Sequence, residues 1–190
     1  MDRINNRISL VGQFHGAPEV AVADTNGSIV TTVALSGLTA GALTIAAQPD
    51  YPRTIMGFLT DADASITGAT VTLRGLDQNG NSISDVLTFT AAGAQTSVKA
   101  FAVLQSATWA LVSGTVTTSS DTMALGFGTG IGMPAGLDAK YGDLLRAAFD
   151  DADDAGTYSK TYGTYIPAGT PNGAKHLDLF FMFSVPVNTY

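Results

Sequence analysis

The chain has 190 residues, no cysteine and a formal net charge of −7. This length is sufficient to bury a core without disulfides, and the lack of cysteine excludes both a disulfide framework and a thiolate metal site. We expect no nucleic-acid or membrane partner, because DNA, RNA and anionic lipid surfaces select cationic proteins. No run approaches the roughly 18 apolar residues of a membrane span, and no N-terminal apolar segment indicates a cleaved secretion signal.

Charged residues make up 13% of the chain, whereas ordinary globular domains have about 25%. Residues 8–52 contain no Lys or Arg, and residues 100–139 contain only two charged side chains, Asp121 and Asp138. Small uncharged side chains lose little when they leave water, and interface cores are depleted in charge for that reason. The composition favours a surface that is extensively buried in an assembly over a free surface rich in Thr and Ser.

Residues 1–27 have mixed polarity and little alternation, which predicts an N-terminal arm. From residue 28 to residue 190, short β-prone runs alternate with turn residues, and this spacing predicts one antiparallel β-sandwich or barrel domain. The predicted strands are residues 28–35, 42–47, 54–59, 70–76, 82–90, 98–104, 108–112, 122–127 and 176–183.

The dipeptide Asn79-Gly80 separates two of these strands and predicts a two-residue type I′ hairpin turn, since both residues tolerate a positive φ. Such a turn pairs Leu73 with Val86 and therefore puts Leu73 and Leu87 on opposite faces of the hairpin. Either both faces are partly covered, or a bulge near Gly75 shifts the alternation of side chains between the two faces. A glycine inside a strand favours the bulge.

Residues 137–149 allow two structures. Leu137, Tyr141 and Leu144 follow helical spacing behind a possible N-cap at Asp138, which predicts at most one short helix. The alternative is a strand, Asp143–Phe149, followed by an acidic turn, and both remain open. The last predicted strand is clearer, because alternation gives it one apolar face, formed by Leu177, Leu179, Phe181 and Phe183.

The motifs that could indicate a metal or catalytic site match their patterns poorly. Residues 77–81, DQNGN, superficially resemble a calcium loop, but glycine is fourth rather than sixth and Thr88 stands where a glutamate is needed. Residues 150–154 are rich in Asp, and a solvated loop is favoured over a cation site. The two histidines, His15 and His176, lack a nucleophile motif, so we predict no catalytic residue, no metal and no cofactor.

Glycines at every second position of residues 126–132 leave one face of a strand without side chains, which lets another backbone approach closely. That approach could come from another subunit or a ligand, or from a tight crossover inside one sandwich, and both remain open. Three tyrosines near residue 160 could form an aromatic platform for sugars, but protein-interface anchors are favoured. These candidates are Gly126, Gly128, Gly130, Gly132, Tyr158, Tyr162 and Tyr165.

Three segments together resemble virion proteins of tailed bacteriophages, particularly the small head decoration or cement proteins. They are GLDQNGNSISDVLTF with SVKAFAVLQSATW (75–89 and 97–109), SSDTMALGFGTGIGMP (119–134) and GTYIPAGTPNGAKHLDLFF (163–181). The resemblance implies a jelly-roll-like β-sandwich that forms a homotrimer on the outer surface of the capsid. There it would bind the major capsid protein and clamp neighbouring capsomers against the pressure of packaged DNA, without catalytic residues.

The first hypothesis is therefore a structural, non-enzymatic decoration protein located on the capsid of a virion. Arg3 and Arg7 could help the arm reach the capsid, a role that rests on their position alone. The runner-up is a phage tail, fibre or adhesin domain that binds a host glycan through the tyrosine segment. An enzyme is a third hypothesis, but no carboxylate pair stands in a recognisable strand context.

Overall fold

The computed structural model describes residues 7–16, 27–117, 119–133, 143–170 and 175–186. Within these ranges the chain is all-β and contains no helix, which confirms the predicted fold class. The strands are β1 (Arg7–Gly16), β2 (Val30–Ala34), β3 (Ala40–Leu43), β4 (Arg53–Thr60), β5 (Ile66–Leu76), β6 (Ser82–Phe89), β7 (Gly93–Phe101), β8 (Val103–Gly114), β9 (Thr122–Gly132), β10 (Asp143–Phe149), β11 (Ala152–Asp153), β12 (Thr157–Ser159), β13 (Thr164–Ile166) and β14 (Leu177–Pro186).

The strands form three sheets, and every pairing is antiparallel. Sheet I has the order β12-β13-β9-β4-β7, with β2 paired to β9 as well. Sheet II has the order β3-β8-β5-β6, and sheet III has the order β1-β14-β10-β11. The result is a sandwich-like fold in which the chain passes from sheet I to sheet II at Ala102, a single bend between β7 and β8.

The main core lies between sheets I and II and is built from alternating residues of their strands. Val71 and Leu73 of β5 are fully buried, and Leu87 and Phe89 of the paired β6 lie on the same face. Trp109 of β8 is the largest fully buried side chain of this core. Burying one such apolar side chain contributes about 1.5–3 kcal/mol, so this cluster supplies much of the stability of the sandwich.

A second core joins sheet III to the end of sheet I. Leu177, Leu179 and Phe181 of β14 are buried, on the face that alternation predicts to be apolar. Phe149 of β10 packs in the same cluster. The side chain of Phe183, the fourth residue of the predicted face, lies outside the described part of the chain.

The β5–β6 hairpin turns over three residues, Gln78, Asn79 and Gly80, so the predicted two-residue turn is wrong. The N–H of Asp77 donates to the carbonyl of Asn81 at 2.9 Å and closes this longer loop. Of the three turn residues only Gly80 has a positive φ, 78°, which is typical of a three-residue hairpin that ends on a left-handed glycine. The Asp77 carboxylate accepts the N–H groups of Asn79 and Asn81, both at 2.8 Å.

The extra turn residue shifts the register by one and removes the predicted conflict between the faces. Leu73 pairs with Asp85 and Val71 with Leu87, so Leu87 and Phe89 lie on the same face as Val71 and Leu73. The bulge predicted near Gly75 as the cause is wrong, because the β5–β6 ladder runs through Gly75 without interruption. The irregularity next to Gly75 lies in the β5–β8 ladder instead.

The second half of the ambiguous 137–149 segment is a strand. Asp143–Phe149 forms β10, which pairs with β14 and is followed by an acidic turn at Asp150 and Asp151. The helical interpretation is therefore wrong for these residues, and Ala147, Ala148 and Phe149 are buried in succession at the end of the strand. Residues 137–142 lie outside the described residues.

The predicted N-terminal arm, residues 1–27, contains a strand. β1 pairs with β14 over its whole length, from Arg7 opposite Pro186 to Gly16 opposite Leu177. Residues 1–6 and 17–26 lie outside the described residues. The described part of the arm is thus an edge strand of sheet III.

Candidate interaction surfaces

The outer face of sheet II is built almost entirely from small uncharged side chains. The register places Thr72 of β5 between Val86 of β6 and Thr108 of β8. These side chains point away from the core, because the residues that alternate with them, such as Val71 and Trp109, are buried. We call this surface the threonine face, and it comprises Ala40, Ala42, Thr70, Thr72, Arg74, Ser84, Val86, Thr88, Ser106, Thr108 and Ala110.

The threonine face is poor in charge. Arg74 is its only charged residue, and Val86, at 51% exposure, is its most exposed large apolar residue. Taking hydroxyl and methyl groups out of water costs far less than taking out ionised groups. Another protein can therefore cover this face with a small desolvation penalty, as the composition predicts for the chain as a whole.

A groove lies beside β7, and three exposed apolar side chains surround it. Val98, Tyr162 and Ile166 are 46%, 44% and 44% exposed. The groove has a volume of about 290 Å³ and is open to solvent, whereas enclosed ligand pockets hold about 300–1,000 Å³. This shape suits a side chain of a protein partner. We call it the Val98 groove, and its lining residues are Thr96, Ser97, Val98, Ser159, Tyr162, Thr164 and Ile166.

Side chains hold β7 in place at the Val98 groove. The Asp85 carboxylate accepts the N–H groups of Val98 and Lys99 at 2.8 and 3.1 Å. The Ser97 hydroxyl accepts the N–H of Ile55 at 2.8 Å, where the β4–β7 ladder is interrupted. Because Asp85 satisfies these two backbone donors, this part of the edge strand offers a partner the Val98 side chain rather than free N–H groups.

A buried tyrosine fixes the other wall of the groove. Tyr165 of β13 is 1% exposed, and its hydroxyl donates to Asp154 Oδ2 at 2.6 Å and accepts the N–H of Gly156 at 3.1 Å. The Asp154 carboxylate also accepts the N–H groups of Ala168 and Gly169. Burial raises the pKa of the Tyr165 hydroxyl above its usual 10.0, and the Asp154 carboxylate adds to the rise.

The four alternating glycines predicted as interface residues lie buried on β9: Gly126, Gly128, Gly130 and Gly132. A Cβ at Gly128 or Gly130 would come within 2.3 or 2.7 Å of the Thr54 side chain. The N–H of Gly130 donates to Thr54 Oγ1 at 3.0 Å. These close contacts are made within the chain, and a contact of β9 with another subunit stays a prediction.

The three predicted tyrosines have different surroundings and do not form one exposed platform. Tyr165 is buried, and Tyr158, its partner across β12 and β13, packs half-buried against the second core. Tyr162 is the member of this set that presents its ring to solvent, and it does so in the Val98 groove. Arg7 begins β1, but its side chain, like all of Arg3, lies outside the described residues.

The acidic residues that follow β10 have separate partners. Asp154 binds the Tyr165 hydroxyl, and the neighbouring carboxylates form exposed ion pairs. Such pairs contribute about 0–1 kcal/mol each, so the turn is not held by charge alone. The ion pairs are Asp150–Lys175 at 3.6 Å and Asp153–Arg146 at 2.7 Å, and Asp151 Oδ1 lies within hydrogen-bond distance of His176 Nε2, at 3.1 Å.

A second group of aspartates, Asp61, Asp63 and Asp121, brings carboxylate oxygens within 4.8 Å of one another. Asp121 is fully buried and accepts the N–H of Thr117 at 3.1 Å, while Asp61 and Asp63 both accept the N–H of Ser65 at 3.2 Å. Hydrogen bonds from Ser65 and Thr117 lower the pKa of Asp63 below its usual 3.8. These carboxylates organise the backbone of two loops.

The chain matches no protein-family model, and comparisons with curated proteins and with solved structures found no match. Among the described residues no helix is both long and apolar enough to cross a membrane. The threonine face and the Val98 groove are therefore the structural observations on which a function can be based.

Proposed function

We propose that the protein is a structural component of a bacteriophage particle that decorates the outer surface of the head. In this role it forms a homotrimer and bridges subunits of the major capsid protein. The threonine face is the observation that supports the proposal, because a whole sheet face with one charged residue is cheap to cover with protein. The resemblance to phage decoration proteins supplies the partner.

The size of the threonine face fits a protein that makes several contacts. Four strands about 4.8 Å apart, with about five residues each at 3.3 Å, give an area on the order of 300 Å². A standard interface buries about 800 Å² on each partner. The face would supply less than half of such an interface, and the Val98 groove is the surface best suited to add to it.

The net charge of −7 suits the outer side of a capsid. A protein that touched packaged DNA would need cationic side chains to replace the counterions of the phosphates. Three of the described cations do not supply such a surface, since Arg53 is buried and both Lys175 and Arg146 contact aspartates. We therefore place the protein outside the shell.

Self-association tests the first part of the proposal. We expect light scattering after size exclusion to give three times the 19.5 kDa chain mass for the wild type. The substitution Thr108→Lys puts a charge on the exposed centre of the threonine face and should weaken association at least about tenfold, because the ammonium must be desolvated. Thr32→Lys, on an exposed position of β2, is the matched control and should leave association unchanged.

Binding to bare heads of the phage that encodes the chain tests the second part. We expect the wild type to sediment with these heads and to raise the temperature at which they rupture, and Thr108→Lys to do so less. A wild-type chain that stays monomeric at high concentration and does not bind the heads would refute the proposal. Equal behaviour of Thr108→Lys and Thr32→Lys would refute the role of the threonine face.

A further inference from the structure

The backbone places both histidines of the chain at the same end of sheet III. His15 lies opposite Asp178 in the β1–β14 register, and His176 immediately precedes β14. His176 and Asp178 are two residues apart, so their side chains lie on the same face of the strand. The intervening Leu177 is buried in the second core and fixes the position of this strand end.

A third ligand-type side chain reaches this point from the turn after β10. His176 Nε2 lies 3.1 Å from Asp151 Oδ1 and 3.7 Å from Asp178 Oδ2. The turn is fastened to the same strand end, because the N–H of Asp150 donates to the carbonyl of His176 at 2.9 Å. Asp150 and Asp151 both have a positive φ, 55° and 66°, and this uncommon backbone directs the turn back toward β14.

We propose that Asp151, His176 and Asp178 bind a divalent transition-metal ion of the zinc class. Ligand atoms about 2.0–2.1 Å from a tetrahedral zinc ion are about 3.3 Å apart. His176 Nε2 lies 3.1 and 3.7 Å from the two carboxylate oxygens, and one ligand atom from each of the three residues lies within 4.8 Å of the others. An imidazole with two carboxylates suits zinc, whereas calcium prefers oxygen ligands alone. Water would complete the coordination, since Asp151 is 90% exposed.

A side chain of β1 already orients one of the ligands. The Gln13 carboxamide donates to Asp178 Oδ1 at 3.4 Å and leaves Oδ2 directed at His176. Hydrogen bonds of this kind fix ligating carboxylates in metal sites. The Asp61, Asp63 and Asp121 group differs, because it contains no imidazole and its carboxylates accept backbone N–H groups.

The bound ion would link three parts of sheet III: the turn after β10, the start of β14 and, through Gln13, the edge strand β1. A ligand that binds only the folded state stabilises it in proportion to the logarithm of its concentration. The site therefore makes the stability of the folded protein depend on the metal concentration. This inference goes beyond the proposed function and does not depend on it.

Titration of the full chain with ZnCl₂ after removal of metals tests the site. We expect isothermal titration calorimetry to give one bound Zn²⁺ per chain and the unfolding temperature to rise with Zn²⁺ concentration. His176→Ala and the double variant Asp151→Asn/Asp178→Asn should weaken Zn²⁺ binding at least about tenfold. The loss of a residue that only hydrogen-bonds to a metal ligand already weakens binding by about this factor. Asp153→Asn, at an exposed aspartate of β11 that pairs with Arg146, is the matched control and should bind as the wild type does.

Two results would overturn the assignment. The first is the absence of any heat of binding or shift in unfolding temperature at millimolar Zn²⁺. The second is a Zn²⁺ response that persists in His176→Ala, since the ion would then bind elsewhere on the chain. Circular dichroism of each variant without metal checks that it is folded, so that lost binding is not mistaken for unfolding.

Discussion

At the scale of single residues, the contacts of Tyr165 hold the β12–β13 hairpin in place. Its hydroxyl binds Asp154 and the N–H of Gly156, so a residue of β13 is tied to the segment that precedes β12. The ring packs in the second core. A buried hydroxyl that both donates and accepts leaves little freedom to the hairpin that carries Tyr162 and Ile166 into the Val98 groove.

We expect Tyr165→Phe to lower the free energy of unfolding by about 1–3 kcal/mol at pH 7, because the Asp154 carboxylate loses a charge-assisted hydrogen bond. Folding raises the pKa of this hydroxyl above 10.0, so its stabilisation is fully present below pH 10 and is lost as the pH rises further. Urea unfolding followed by circular dichroism at a series of pH values measures this difference. It should be constant from pH 6 to 9 and shrink above pH 10.

The exposed Tyr162 provides the control for this prediction. Tyr162→Phe removes a hydroxyl from a ring that is 44% exposed and should change the free energy of unfolding by less than about 0.5 kcal/mol. Equal stability of Tyr165→Phe and the wild type at pH 7 would show that the Tyr165 hydroxyl adds nothing to the fold.

At the scale of elements, Gly75 of β5 has the least room for a side chain among the glycines of sheet II, because β8 passes close to it. A Cβ on Gly75 would lie 2.0 Å from the carbonyl oxygen of Val103, a distance that no side chain tolerates. The approach occurs beside the irregularity of the β5–β8 ladder and next to the bend at Ala102, whose N–H donates to the carbonyl of Leu76 at 2.8 Å. Gly75 thus makes room for the corner by which the chain changes sheets.

We expect Gly75→Ala to destabilise the protein by about 3 kcal/mol, because backbone rather than a movable side chain must shift. Gly41→Ala in β3 of the same sheet is the matched control, since a Cβ there has nothing within 4 Å. That substitution should be neutral within about 0.5 kcal/mol or slightly stabilising, because alanine restricts the unfolded chain. Thermal unfolding of both variants separates the alternatives, and a Gly75→Ala protein as stable as Gly41→Ala would contradict the packing described at the corner.

Alternation predicts most of the strands but not where strands turn or change sheets. The predicted strand 98–104 runs through the bend at Ala102. Apolar residues continue across this bend, because the strands before and after it both bury side chains in the core. The hairpin register is wrong by one residue, since Asn79-Gly80 fits the end of a three-residue loop as well as a two-residue turn. The strands β11, β12 and β13 have two or three residues each, too few for a period to be recognised.

The candidate surfaces are only partly predictable for a related reason. The low content of charged residues is visible in the composition. The gathering of small uncharged side chains on the outer face of sheet II is not, because it depends on the register that sets Thr72 beside Thr108. Exposure of Val98 follows from β7 lying at the edge of sheet I, which is a property of strand order. The sequence also cannot separate buried Tyr165 from exposed Tyr162, since the two stand in similar Gly- and Thr-rich surroundings.

At the scale of the whole molecule, charge is uneven: the chain carries a net −7, yet the threonine face carries only Arg74. Copies of such a protein repel one another at long range, while the threonine face, through which we propose that they associate, is nearly neutral. Salt screens charges over about 10 Å at 0.1 M and leaves apolar and hydroxyl contacts intact. Assembly through the threonine face should therefore respond to salt in the opposite direction from assembly through ion pairs.

We expect self-association, measured by sedimentation velocity, to be as strong or stronger at 500 mM NaCl as at 50 mM NaCl. Screening removes the repulsion between acidic copies, and the threonine face offers only Arg74 for an ion pair that salt could weaken. A wild-type assembly that weakens more than about tenfold over this range would contradict a charge-poor interface and would place the contact on the charged surfaces of the molecule instead.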